Sequence, residues 1–154
     1  MLSNIITPDV IKVNLESTEK EECFAELLEL IVAKHPEINR KEALDSLIKR
    51  ESKLSTAVAK DAAIPHAIVE SVPRVVIALG ISREGIEFEA LDPEDSEKPL
   101  VHIVIEILFD GKDAELRINV LRDILELVNN PDFMDKALKA ENTNELFSLI
   151  DIME

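Results

Sequence analysis

Two apolar, β-branched runs constrain this chain more than any other feature. Arg74-Val75-Val76-Ile77-Ala78-Leu79-Gly80-Ile81 reads as a strand buried on both faces, and Leu100 to Phe109 is the longest strand candidate. A strand apolar on both sides needs cover on both sides, and the segments around these two runs have a helical period. Phe24, Leu27, Leu28 and Ile31 share one face of a predicted helix ending near Lys34. Ala43, Leu44, Leu47 and Ile48 share a face of a second, running to about Ser52. Val120, Leu121, Ile124, Leu125 and Val128 do so in a third, predicted over Ala114–Val128 and ended by Asn129-Asn130-Pro131. Intermixed strands and helices of this kind predict an α/β sandwich.

Shorter signals complete the map. Val10 to Leu15 reads as a first strand. Thr18-Glu19-Lys20-Glu21 and Asn39-Arg40-Lys41-Glu42 both resemble capping boxes at helix starts. Gly85 predicts a turn, followed by a half-exposed strand in which Ile86 and Phe88 alternate with Glu87 and Glu89. Asp92 to Pro99 is an acidic loop. Two short helices, near Pro131–Leu138 and Asn144–Ile152, close the chain. Its 154 residues suit a single domain, 1–154, with no linker, repeat or low-complexity block.

Charge and composition exclude several roles. The net charge of −15 would repel a phosphate backbone, and without tryptophan or tyrosine there is little to stack on bases, so no nucleic acid is expected. No apolar run is long enough to enter a bilayer, and the first residues lack the pattern of a signal peptide. The lone Cys23 has no disulfide partner, so a reducing, cytoplasmic setting is expected. The scattered histidines and single cysteine give no metal-ligand spacing, and neither a phosphate-binding glycine loop nor a serine-hydrolase elbow is present; no metal or cofactor is implied.

The remaining feature is chemical. In Ser55-Thr56-Ala57-Val58-Ala59-Lys60-Asp61-Ala62-Ala63-Ile64-Pro65-His66-Ala67, one of only three histidines follows a proline. Pro65 restricts the backbone entering His66. A largely neutral imidazole there has a lone pair able to accept a phosphoryl group, and Arg50, Ser55 and Thr56 upstream are suitable donors for its oxygens. On the residues alone, His66 is either that nucleophile or a turn histidine held by a neighbour. His102 shares a strand face with Val104 and Glu106 and reads as a satisfied sheet residue.

Arg50-Glu51, Ser55-Thr56 and Ala63-Ile64-Pro65-His66-Ala67 together resemble the active-site signature of enzyme IIA domains of the fructose/mannitol type. These domains, with their stand-alone nitrogen-regulatory members, belong to the phosphoenolpyruvate-dependent sugar phosphotransferase system. Gly85 to Asp92 and Pro99 to Val104 are similar to the family's following strands, so the likeness covers nearly the whole chain. The resemblance implies a three-layer sandwich, a mixed sheet of about five strands with helices on both faces. It implies that His66 is the phosphorylated residue, that Arg50 holds phosphoryl charge, and that Ser55 and Thr56 line the site. The implied partners are the histidine-containing phosphocarrier protein as donor, and an enzyme IIB domain or a regulated protein as acceptor. The implied activity is that of a protein-histidine phosphotransferase.

Two departures from the family pattern stand out. Ala57, Ala59 and Asp61 occupy places where the family usually has glycine, which narrows the backbone conformations and sets an anion at Asp61. Arg117 matches the position of a second family histidine at the start of the helix after the central strand. Arginine keeps phosphate binding but gives up the neutral acceptor; slipped by one residue, it would be an exposed helix residue. The alternative function is therefore a non-catalytic regulatory binding module with the same fold and a decayed site.

Overall fold

A computed structural model describes residues 2–92 and 94–154. Pro93, within the predicted acidic loop, lies outside the described residues. In chain order the elements are helix α1 (Leu2–Ile5), a 3-10 turn (Pro8–Val10), strand β1 (Ile11–Lys12), helices α2 (Lys20–Lys34) and α3 (Arg40–Lys53), strands β2 (Ala62–Ala63), β3 (His66–Ile68), β4 (Val75–Glu87) and β5 (Leu100–Phe109), and helices α4 (Ala114–Val128), α5 (Pro131–Ala137) and α6 (Thr143–Met153).

The five-stranded sheet is mixed. β4 and β5 are antiparallel at its centre, β1 lies parallel to β4, and β2 and β3 both lie parallel to the other side of β5. β2 and β3 act as one edge strand broken by Pro65, which has no N–H to give to the ladder. Its carbonyl still accepts from the Ile107 amide at 2.9 Å, so the break keeps the strand in place and delivers His66 opposite Ile107.

Period-2 alternation sorts the two central strands between two cores. Ile77, Leu79, Ile81, Ile103, Ile105, Ile107 and Phe109 pack with Val120, Ile124 and Leu127 of α4 and with α5 and α6. Val76, Ala78, Val104 and Leu108 pack with Phe24, Leu27 and Ile31 of α2 and Ala43 and Leu47 of α3. The sheet is thus covered on both faces: a three-layer α/β sandwich, as expected. β5 and α4 keep the predicted bounds. The cap of α3 also forms, Asn39 accepting the Glu42 amide at 3.0 Å.

Four expectations change. The first strand shrinks to Ile11–Lys12, because Val10 belongs to the 3-10 turn and β1 meets only Leu79 and Gly80; beyond it Leu15 keeps one bond, to the Ile81 carbonyl. Thr18 caps nothing. α2 starts at Lys20 with no side-chain cap, and Glu26 instead accepts from the Glu16 and Ser17 amides and the Ser17 hydroxyl while pairing with Lys12 at 2.8 Å. Gly85 is not a turn between two strands. Its φ of +91° supports a bulge, with the register to β5 shifting between Ile81 and Ile86, and β4 runs through it. The closing helices shift by one residue at three of their ends, the predicted Pro131–Leu138 and Asn144–Ile152 being Pro131–Ala137 and Thr143–Met153.

Candidate active site at the sheet edge

His66 opens β3 at the edge of the sheet. Its register partner Ile107 belongs to the α4-side core, so the imidazole emerges on that side, between α3 and α4. The depression above it measures about 440 Å³. His66, Ala67 and Ile68 come from β3. Ser46, Lys49, Arg50 and Lys53 come from α3, and Arg117 and Leu121 from α4. Spacings of three and four residues put the α3 group on one helix face, and Arg117 and Leu121 are one turn apart on α4.

The lining holds four cations and no carboxylate, in a chain whose net charge is −15. Among the described residues none of the four forms an ion pair. Arg50 does hold its position by donating from Nη1 to the Leu54 carbonyl at 2.8 Å, where α3 ends.

The ring has a defined tautomer. His66 Nδ1 lies 2.8 Å from the Ile64 carbonyl oxygen. That oxygen only accepts, so Nδ1 carries the hydrogen and Nε2 keeps its lone pair. Partial burial lowers the proton affinity of the ring. The Ile64 carbonyl raises it, Arg50 lowers it, Glu51 raises it and Arg117 lowers it; the net direction is below the ordinary histidine value. At neutral pH His66 is a neutral imidazole with a free Nε2.

Ser55 and Thr56 lie elsewhere. Both are buried and neither lines the depression. Thr56 Oγ1 donates to Glu51 Oε1 at 2.6 Å, and its amide donates to Oε2 at 2.8 Å. The Thr56 carbonyl accepts the Ile64 amide at 3.0 Å, and Ser55 Oγ accepts the Ala57 amide at 3.2 Å. These bonds tie the end of α3 to the segment that carries His66, a placing role. Glu51 was not singled out in the sequence for this, since its use depends on Thr56 turning inward. Lys49 and Lys53 were also missed, although their spacing from Ser46 and Arg50 along α3 was visible.

Asp61 does not line the depression. Its carboxylate accepts from His102 Nδ1 at 3.0 Å, and its carbonyl accepts the His102 and Ile103 amides, each at 2.9 Å. Its φ is +63°, a left-handed conformation that glycine adopts freely and that Asp tolerates better than most residues. The chain therefore keeps a glycine-like backbone where the side chain forbids glycine's freedom, and His102 is the partner that satisfies it. His102 is thereby the satisfied sheet residue its position suggested.

Among the described residues no group of three or more His, Cys, Asp or Glu side chains is arranged to hold a metal ion, and no helix is long and apolar enough to cross a membrane.

Residues 4–152 match the family described as phosphoenolpyruvate-dependent sugar phosphotransferase system, EIIA 2. A fructose-specific EIIA component from Haloferax volcanii is 30% identical over 141 residues, spanning 92% of this chain and 88% of that protein. A fructose-specific EIIABC component from Bacillus subtilis is 28% identical over 150 residues, or 97% of this chain, but the chain spans only 23% of that longer protein. The fold is similar to that of nitrogen regulatory protein IIA-Ntr from Neisseria meningitidis, with a TM-score of 0.84 at 17% identity over 97% of this chain and 98% of that one. It is also similar to a chain in the complex of mannitol enzyme IIA with phosphorylated enzyme IIB from Escherichia coli, with a TM-score of 0.76 at 17% identity over 95% and 96% of the two chains.

Proposed function

Because the chain belongs to the EIIA type-2 family of the phosphoenolpyruvate-dependent sugar phosphotransferase system, we propose that it is a cytoplasmic phosphohistidine carrier with His66 as the phosphorylated residue. One observation carries the assignment: Nδ1–H is held on the Ile64 carbonyl, which leaves Nε2 as the free nucleophile beside a depression lined by four cations and no carboxylate.

In the forward step Nε2 attacks the phosphorus of a phosphohistidine on the histidine-containing phosphocarrier protein. The new P–Nε2 bond forms as the donor's P–N bond breaks, and its electron pair returns to the donor imidazole. The Nδ1 proton stays on His66, and the Ile64 carbonyl stabilises the positive character that the ring gains. Arg50 and Arg117, the two cations that act on the ring, offset the charge of the phosphoryl oxygens. Onward transfer reverses these roles, with the nucleophile of an enzyme IIB domain, or of a nitrogen-type regulated partner, attacking phosphorus and Nε2 leaving. Neither step needs a cofactor. Arg117 supplies charge where the family has a second histidine, and His66 takes its tautomer from the backbone rather than from another imidazole.

Exposed apolar side chains support docking of a protein at this end. Ile68 lines the depression and is 54% exposed, Leu54 follows α3 and is 54% exposed, and Ile118, next to Arg117, is 61% exposed.

Incubation with phosphoenolpyruvate, the first enzyme of the system and the phosphocarrier protein should add one acid-labile, base-stable phosphoryl group. Substituting His66→Ala should abolish it. Folded protein that stays unlabelled with cognate partners would overturn the carrier reading and leave a binding module.

A further inference from the structure

Lys49 and Lys53 line the same depression as Arg50 and Arg117. A single phosphoryl group on Nε2 carries at most two negative charges, which the two arginines match. The two lysines are surplus to that need. They are exposed and one turn apart on α3, and no described carboxylate pairs with either. Surplus unpaired cations in one concavity repel each other, and a chain with 32 acidic residues has many available to neutralise them. The volume of about 440 Å³ lies in the range that takes small-molecule ligands and exceeds the needs of one phosphoryl group.

We propose that Lys49 and Lys53 form an outer subsite for a free phosphate group, either inorganic phosphate or the phosphate of a small phosphorylated metabolite, which occupies the depression while His66 is unmodified. The two lysines provide point-charge contacts, and Arg50 and Arg117 provide the directional guanidinium donors behind them. Ligand and incoming phosphoryl group then compete for the same cations. A rising concentration of phosphorylated small molecule slows labelling of His66, which makes the domain responsive to the supply of phosphate esters. The inference rests on the carrier reading for that consequence, but the binding itself requires no transfer.

The test is amide chemical-shift titration of the full chain with inorganic phosphate and, separately, with glucose 6-phosphate, at constant ionic strength and pH 7.5. Saturable shifts at Lys49, Lys53 and Arg117 are expected. They should persist in His66→Ala, because the ring contributes no charge at that pH, and the Lys49→Gln/Lys53→Gln double variant should weaken binding about tenfold, the scale of lost charge-assisted contacts. Both side chains are exposed, so the double variant should keep the wild-type melting temperature. Tighter binding of glucose 6-phosphate identifies an ester as ligand, and equal binding identifies the phosphate group alone. Shifts that never saturate, that sodium chloride reproduces at equal ionic strength, or that survive the double substitution would overturn the subsite. Wild-type protein that is labelled at His66 but binds neither phosphate nor glucose 6-phosphate sinks this inference alone. Binding without labelling sinks the carrier reading and leaves the subsite standing.

Discussion

His66 and Glu106 lie almost side by side in the sheet and are treated in opposite ways. Ile107, the residue after Glu106, is the register partner of His66, so the two titratable side chains leave the sheet on opposite faces. His66 reaches a cationic depression, keeps a hydrogen bond to the Ile64 carbonyl and stays partly exposed. Glu106 is fully buried among the apolar residues beneath α2, and neither carboxyl oxygen has a hydrogen-bond partner. Near it lies Cys23, also fully buried, whose thiol is pushed up by its own burial and then by Glu106. Burial lowers the proton affinity of His66 and raises that of Glu106, since it disfavours whichever form is charged. Both shifts favour the neutral form. The polar end of the sheet uses that neutrality to hold a lone pair ready, and the centre only tolerates it.

The largest effect should come from removing the unpartnered acid. Glu106→Leu should stabilise the domain by roughly 1–3 kcal/mol at neutral pH in urea unfolding, the scale of an unsatisfied buried polar group. The sign of its pH dependence follows from linkage. The folded protein keeps the Glu106 proton above 4.5, where the unfolded chain loses it. Stability contributed by Glu106 is thus complete below that value and falls as pH rises towards the folded pKa, by up to about 1.4 kcal/mol per unit. Glu106→Gln should flatten this slope. An unchanged slope in the Gln variant would mean that Glu106 has a partner or solvent access, and the contrast with His66 would collapse.

His66 should respond in the other direction. Its folded pKa lies below 6.5, so any stability linked to the neutral ring is present above that value and lost as pH falls. The same proton occupies Nε2, because Nδ1 is already protonated. Initial rates of His66 labelling should therefore be flat from pH 7 upward and fall by about tenfold per unit below the folded pKa, once the donor's own titration is subtracted. A rate that rises on acidification would show that the neutral ring is not the attacking species.

The contrast also separates what was legible in the chain from what was not. β5 and α4 could be bounded from sequence because their apolar periods are long and unbroken. β2 and β3 could not: two and three residues carry no period, and only pairing to β5 makes them strands. Gly85 misled because a bulge and a turn call for the same residue, and the choice is made by the pairing of Ile86 with Val101. Thr18 misled because α2 begins only at Lys20, with Glu19 at its N-cap and no side-chain cap. At the site, the motif drew attention to Arg50, His66 and Arg117, and the fold gathers them around one depression. The inward turn of Thr56 towards Glu51 depends on three-dimensional closure that no local pattern records. Glu106 was visible in an apolar run, but its lack of any partner was not.

The polar bonding of the His66 end can be probed at Thr56. Thr56→Val keeps the shape and the amide bond to Glu51 but removes the hydroxyl donor from a carboxylate that is 6% exposed. A loss of about 1.5 kcal/mol is expected in urea unfolding. Labelling should slow as well, because the same residue's carbonyl holds Ile64 two positions before His66. A stability loss with unchanged labelling would confine Glu51 and Thr56 to holding the end of α3.

The smallest effect tests how the chain manages without glycine at position 61. Asp61→Ala removes the acceptor for His102 and leaves a β-carbon at a φ of +63°, whereas Asp61→Gly removes the same acceptor but relieves the backbone. Both variants lose the His102 bond, so it cancels in the comparison. Glycine is also the more flexible residue in the unfolded chain, which offsets part of its advantage. The alanine variant should nevertheless be the less stable of the two by about 1 kcal/mol, the cost of a left-handed residue that lacks a local polar partner. If alanine and glycine melt together, Asp61 is not held left-handed in solution, and the segment leading to His66 relies on Thr56 and Pro65 for its course. If glycine equals wild type, the His102 bond contributes nothing net, and the substitution of Asp for glycine was tolerated on backbone grounds alone.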